Sequence, residues 1–360
     1  MSRPTQAHID LKALRHNCAL AQALGSPGKI MPVVKANAYG HGATAVASAL
    51  EDMASAFAVA CIEEAVELRE AGISRPVMLM EGFFSYEELE LASRHDFWIM
   101  LQNDYQLGAL EAAALPGPVT CWIKLDTGMH RLGFDVARAG DLYRQLARCQ
   151  NAADDIVLAT HLACADDLDS DTTLEQIRCF REHTRDIDAP CSLANSPGLL
   201  GWPEARADWN RPGVMLYGQS PFPMPHPEAD KLQPVMTLRS EIIAVRELSP
   251  GESVGYGSAW TAERPSRIAT VPVGYGDGYP RLAGNGTPVM IGGRRAPLAG
   301  RVSMDMITVD VTDLGPVEIG EEVILWGPDI TANEVADHAD TIGYEIMTRM
   351  LARVPRIYRQ

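Results

Sequence analysis

Between about residues 28 and 218 the chain alternates short, unbroken apolar runs with helix-like stretches, and this rhythm limits the fold more than any other feature. The runs fall at 30–35, 57–62, 77–81, 97–101, 119–126, 156–162 and 192–196, with an eighth inside 207–217. Helical patterns lie between them, as at 63–71, 86–94, 135–148 and 173–186. A strand with one wet face alternates polar and apolar residues, whereas a continuous apolar run marks a strand covered on both faces. Seven or eight such strands joined by helices make an open parallel α/β sheet or a closed, TIM-like (β/α)8 barrel. Counting alone does not separate the two, and eight strands lean towards the barrel.

After about residue 232 the rhythm changes. Candidate strands at 237–248, 267–273, 288–291, 306–311 and 322–325 follow one another without helices, separated by turns such as Gly292-Gly293. Two short helices, 333–338 and 344–351, come last. A polar stretch at 227–233 is the natural boundary. The expected division is therefore a barrel over 1–232 and a mostly β domain over 233–360.

Composition excludes some partners. The net charge of −16 argues against nucleic acid or an anionic membrane surface. No apolar run approaches the roughly 20 residues that cross a bilayer, and the first ten residues hold no apolar signal-peptide core. The seven cysteines are odd in number and lack a Cys-x-x-Cys pair, which fits reduced thiols in a cytoplasm.

Residues with chemical potential sit where barrel strands should end. Lys35 closes the first run, in MPVVKANAYGHG at 31–42. Buried at a barrel mouth, its amine would lose charge and become a nucleophile or Schiff-base former. The plainer reading is a lysine snorkelling to water. Lys124 and Asp126 close the fifth run, His161 the sixth and Ser196 the seventh. The stretch Arg211-Pro212-Gly213-Val214 lies by the eighth. Barrels commonly seat phosphate after strands seven and eight, which suits the Ser196 hydroxyl and the Gly213 and Val214 amides. His161 and Cys164 lack a second compact ligand pair, so no metal is expected.

The segment from Pro32 to Gly42 closely resembles the cofactor-attachment motif of bacterial alanine racemases, especially the shorter, catabolic-type proteobacterial members. The resemblance covers essentially the whole chain, with further motifs in the family's order. It implies a fold-type III pyridoxal 5'-phosphate enzyme: a (β/α)8 barrel followed by a β domain, assembled as a head-to-tail homodimer with shared active sites. By resemblance, Lys35 carries the cofactor and Tyr39 binds its phosphate. Arg131 meets its phenolic oxygen, and Arg211 faces its ring nitrogen. His161 stands beside the cofactor. Lys124 matches a lysine carbamylated in many members; the alternative is an ordinary ion pair with Asp126. In the second domain Tyr256, in VGYG at 254–257, matches the second catalytic base. Tyr275, in GYGDGY at 274–279, and Met304, in GRVSMD at 300–305, match groups at the substrate, and Arg301 matches an entrance residue.

Racemisation needs an acid and a base on opposite faces of one carbon. The implied pair is Lys35 on the D side and Tyr256 of the partner subunit on the L side, interconverting L- and D-alanine (EC 5.1.1.1). A tyrosine is a poor base at neutral pH, so His161 and Arg211 are expected to assist it. Supplying D-alanine for peptidoglycan and degrading it would use the same residues. Three departures stand out. Pro197 and Gly276 replace small residues usual in the family, and Ala352 stands where some members place a phosphate-binding tyrosine. Rival readings are a broad-specificity racemase, a related decarboxylase and a non-catalytic cofactor-binding barrel. The decarboxylases bring a partner cysteine, but the last cysteine here is Cys191. The binding proteins lack a second domain with its tyrosine.

Overall fold

The computed structural model describes residues 3–360. Eight short parallel strands form the first domain: Lys29–Ile30, Phe57–Val59, Val77–Leu79, Phe97–Leu101, Cys121–Asp126, Val157–Ala159, Cys191–Ser192 and Trp209–Asn210. Those from Phe57–Val59 to Cys191–Ser192 pair in sequence order. Closure comes from the ends. Trp209 and Asn210 pair with Lys29 and Ile30, Arg211 N–H donates to the Ala194 carbonyl at 3.0 Å, and Val33 bridges to Ala58. The eight strands thus form the closed barrel. Phe57–Val59, Val77–Leu79 and Val157–Ala159 are buried at every residue, the outcome their unbroken apolar runs require. Trp98, Trp122 and Trp209 fill the lower end of the barrel, with Trp98 edge-on to Trp209 at 5.4 Å between ring centroids. Chemistry is left to the opposite mouth.

The second domain holds two main sheets. One has six strands in the order Arg294–Pro297, Pro288–Ile291, Glu322–Trp326, Met236–Glu241, Gln6–Asp10 and Arg356–Arg359. The other has three, in the order Ala244–Leu248, Ser266–Val271 and Ile307–Asp310. Burial alternates along Met236–Glu241 and Ile307–Asp310, as in sheets with one covered face.

Local structure differs from expectation at three places. The run 237–248 is two strands, because the chain leaves one sheet at Glu241 and enters the other at Ala244. The intervening amides of Ile242 and Ile243 donate to the Glu321 and Thr270 carbonyls, 2.9 Å each. The strand Gln6–Asp10 precedes the barrel in sequence yet pairs with Met236–Glu241 and Arg356–Arg359; a cut at residue 232 therefore divides a sheet. Finally, the runs ending at Lys35 and Ser196 are strand only at Lys29–Ile30 and Cys191–Ser192. Lys35 and Ser196 each open the next element.

Candidate active site

Lys35 begins a turn of the wrong hand. Ala36, Asn37, Ala38 and Tyr39 all have φ of 52–54°, a left-handed conformation costing about 1–2 kcal/mol at each non-glycine residue. Dedicated bonds hold it. The Glu64 carboxylate accepts from the Ala36 amide at 2.6 Å and the Ala60 amide at 2.8 Å. The Asn37 side chain accepts from Ala43 N–H at 2.8 Å, at the start of the helix Ala43–Leu50. The His41 ring bonds the Tyr39 carbonyl at 2.9 Å. The turn sends Lys35 to the cavity and Tyr39 towards Gly213.

At the barrel mouth a cavity of about 300 Å³ is lined by Lys35, Glu81, Lys124, Arg131, His161 and Arg211 among others. Four cations thus face one small space. Burial, then Arg131, lowers the Lys35 pKa, while Glu81 and Glu64 oppose the shift. Burial with Arg211 and Arg131 nearby brings Lys124 down to about 8. The same factors hold His161 well below its ordinary value. It is neutral at physiological pH.

The ordinary Lys124–Asp126 ion pair, the alternative to carbamylation, does not form. Asp126 instead accepts from the Gly128 and His130 amides at 3.0 Å each and meets the His130 ring at 3.1 Å. Among the described residues Lys124 has no ion-pair partner.

Arg211 is fully buried. Its terminal nitrogens donate to the Thr160 carbonyl at 2.6 Å, the Leu193 carbonyl at 3.3 Å and the Ser192 hydroxyl. Its Nε is buried without a partner, a donor that awaits an acceptor. Burial lowers its pKa to about 10, so the guanidinium stays protonated at neutral pH.

A second feature lies beside it. Ser196 Oγ accepts from the Gly213 amide at 2.8 Å and the Met215 amide at 3.3 Å. A Cβ placed on Gly213 would stand 2.6 Å from Tyr39 Oη and 3.8 Å from Ser196 Oγ. Tyr39, Ser196 and Gly213 therefore converge on one seat, which Val214 adjoins at the start of a 3₁₀ turn. Asn195 caps the helix Ser196–Gly201 through the Gly198 amide, with Pro197 in its first turn. That position tolerates proline, which accounts for the departure there.

Sequence reasoning missed one aromatic. Ala352 is exposed, away from the role its position suggested. Tyr344, on the helix Gly343–Thr348, stands 6.3 Å from Tyr39 between ring centroids. The Gly-Tyr pair at its helix start was the available signal.

Tyr256, Tyr275 and Met304 do not line the cavity. They are 71%, 39% and 55% exposed. Yet their loops are locked together: Tyr275 N–H donates to the Ser303 carbonyl at 3.1 Å and Gly276 N–H to the Met304 carbonyl at 2.8 Å. Arg301 packs on the Tyr256 turn, 3.3 Å from where a Gly257 Cβ would stand. Behind them Asp277 is buried, accepting from Gly274 N–H at 2.8 Å and Arg353 Nε at 2.7 Å and pairing with Arg3. Arg353 also lies against Gly276, so the missing methyl leaves room for this guanidinium.

Residues 9–221 match the family model of the alanine racemase N-terminal domain, and 235–358 match that of the C-terminal domain. The chain belongs to the alanine racemase family. An alanine racemase of Chromohalobacter salexigens is 53% identical over 100% of this chain and 99% of its own. A catabolic alanine racemase of Pseudomonas putida is 52% identical over 99% of both chains. The crystal structure of the biosynthetic alanine racemase of Pseudomonas aeruginosa superposes with a TM-score of 0.96 at 46% identity, covering 99% of this chain and 100% of that one. That of the Bartonella henselae alanine racemase, which has covalently bound pyridoxal phosphate, gives 0.91 at 30% identity over 99% of each chain.

Proposed function

We propose that this chain interconverts L- and D-alanine with pyridoxal 5'-phosphate held on Lys35. The observation that carries the reading is Arg211. It is fixed by three acceptors and keeps one buried, unpartnered Nε–H in a cavity that Lys35 also lines. The residues fit the cofactor. Tyr39, Ser196, Gly213 and Val214 would seat the phosphate, Arg211 would face the ring nitrogen, and Arg131 and His161 would flank the ring.

When bound, the cofactor supplies a conjugated system that lowers the cost of removing the substrate's α-proton. Lys35, its pKa lowered by burial, exchanges that proton on the D side. Tyr256 of the partner subunit exchanges it on the L side. Exposure of Tyr256, Tyr275 and Met304 on interlocked loops supports a homodimer in which one protomer's second domain completes the partner's site. Arg131, Met304 and Tyr275 would orient the substrate. Arg211 can only donate, so it would offer the ring nitrogen a hydrogen bond without supplying a carboxylate to hold a proton there.

Among the described residues no helix is long and apolar enough to cross a membrane. Seven free thiols support a reducing cytoplasm. The test is chiral chromatography of L-alanine, with L-serine in parallel, on purified cofactor-loaded protein. Rapid approach to equal D- and L-alanine with slow serine is the expected result. Comparable serine turnover would favour a broad-specificity racemase, and absence of D-alanine from a yellow dimer would overturn the reading.

A further inference from the structure

The left-handed turn after Lys35 is also gripped from the far end of the chain. Arg356 Nε donates to the Gly40 carbonyl at 3.0 Å, and Tyr358 Oη donates to the His41 carbonyl at 3.1 Å. Both residues lie on Arg356–Arg359, the edge strand of the six-stranded sheet, opposite Ala7 and Ile9. The approach is close. A Cβ on Gly40 would overlap the Met347 carbonyl, and one on Gly42 would overlap the Tyr358 hydroxyl. The same Arg356 guanidinium donates to the carbonyls of Met350, Leu351 and Val354 at 2.7–2.9 Å. One side chain thus joins the segment after the Gly343–Thr348 helix to the turn.

We propose that Arg356 and Tyr358 are positioning residues, and that the C-terminal strand braces the turn that aims Lys35 and Tyr39. The turn's own preference runs the other way. Ala36, Ala38 and Tyr39 each gain by returning to negative φ, and such a return would swing both side chains. Glu64 and Asn37 fix the start of the turn. Beyond it, the Gly40 and His41 carbonyls are the fixed points, and the acceptor bonds on them come from the second domain. That domain therefore acts on its own chain's barrel, apart from anything it offers a partner. The inference rests on the reading of Lys35 as the cofactor lysine.

Tyr358→Phe removes one hydroxyl and nothing else. Arg356→Lys keeps the charge but loses the Nε bond and the fork. Both are made in the full chain. Hydrogen exchange of the amides 36–42 is measured without cofactor, and cofactor affinity, kcat and KM with it. For Tyr358→Phe, loss of one net hydrogen bond predicts exchange and cofactor dissociation constant each rising about fivefold. Exchange in Phe97–Leu101 stays unchanged, and kcat falls while KM for alanine holds. Arg356→Lys shifts the same readouts further. A uniform rise in exchange, with affinity and kcat unchanged, would overturn the proposal and leave the strand a general stabiliser. Lys35→Ala separates the two readings. If that variant still binds the cofactor covalently, the reading of Lys35 fails, whereas the exchange result reports on the brace alone.

Discussion

Gly213→Ala tests the phosphate seat most directly. The new methyl would stand 2.6 Å from Tyr39 Oη and 3.4 Å from Tyr39 Cζ, against about 3.5–4.0 Å for a comfortable contact between carbon atoms. The hydroxyl would have to move by nearly an ångström. Tyr39 has little freedom to do so: it is buried, stacked 4.7 Å from Tyr217, and its backbone is held left-handed. The Gly213 backbone has φ of −118° and ψ of −99°, outside the main regions open to residues with a Cβ, so alanine meets a backbone cost there in addition to the lack of space. Overpacking of this kind costs about 1–3 kcal/mol of stability. Displacing one donor from a charged phosphate costs about 1.5–3 kcal/mol, which is about a ten- to hundredfold weaker cofactor. Fluorescence titration of the cofactor-free variant measures the second quantity and thermal unfolding the first. Gly276→Ala is the control, since its methyl meets the movable end of Arg353 at 2.9 Å and the Met304 carbonyl at 3.0 Å rather than Tyr39 or Ser196. A Gly213→Ala variant that binds cofactor within twofold of the native chain would refute the seat.

Lys124 should take up carbon dioxide. With its pKa near 8, roughly a tenth of the amine is neutral at pH 7, against a few parts in ten thousand for an ordinary lysine; intact mass spectrometry in bicarbonate should show one added CO2 that Lys124→Met lacks. Tyr256→Phe should stay yellow yet lose racemisation, and mixing Lys35→Ala with Tyr256→Ala subunits should restore some activity through hybrid dimers; absence of rescue under proven subunit exchange would count against shared sites. Asp277→Asn should cost about 1–2 kcal/mol at pH 7, a figure discounted because Arg3 and Arg353 are partly exposed. Despite opposing burial, the arginines and the Gly274 amide hold the Asp277 pKa below its ordinary value, so its contribution is present above about pH 4 and fades as pH falls through the folded value. The stability gap between native and variant chains should therefore narrow in acid, and urea unfolding at pH 7 and pH 3 checks it.

The barrel was legible because its strands are covered on both faces, and continuous apolar runs record that directly. The left-handed turn was not. Ala-Asn-Ala-Tyr contains no glycine to announce positive φ, and the bonds that impose it come from Glu64 and from Arg356, hundreds of residues away in the latter case. The pairing of Gln6–Asp10 with the second domain is equally non-local, and five residues carry too short a pattern to name a partner. The 237–248 run hid a change of sheet, since Ile242 and Ile243 continue a β pattern while their amides change partners. At the site, the spacing of Lys35 to Tyr39 and the Arg211-Pro212-Gly213 sequence were visible. Tyr344 had only the Gly-Tyr pair at its helix start as a signal, and its place beside Tyr39 comes from the docking of that helix.

The cavity's charge should also restrict the substrate. With Lys35 taken up by the cofactor, Lys124, Arg131 and Arg211 face it with Glu81 as the lining carboxylate, and His161 is held neutral. Such a space draws in a carboxylate and disfavours a second ammonium group. At an effective dielectric near 20, two like charges about 8 Å apart repel by about 2 kcal/mol, roughly thirtyfold in a rate or binding constant. L-Lysine, whose side-chain ammonium would add to that excess, should turn over at least thirtyfold more slowly than L-alanine in kcat/KM. Carbamylation of Lys124 would cancel this excess of side-chain charge, so the assay uses protein kept free of bicarbonate. Turnover of lysine at a rate comparable to alanine would mean that the cations are neutralised by groups other than those lining the cavity, and the electrostatic account of specificity would fail.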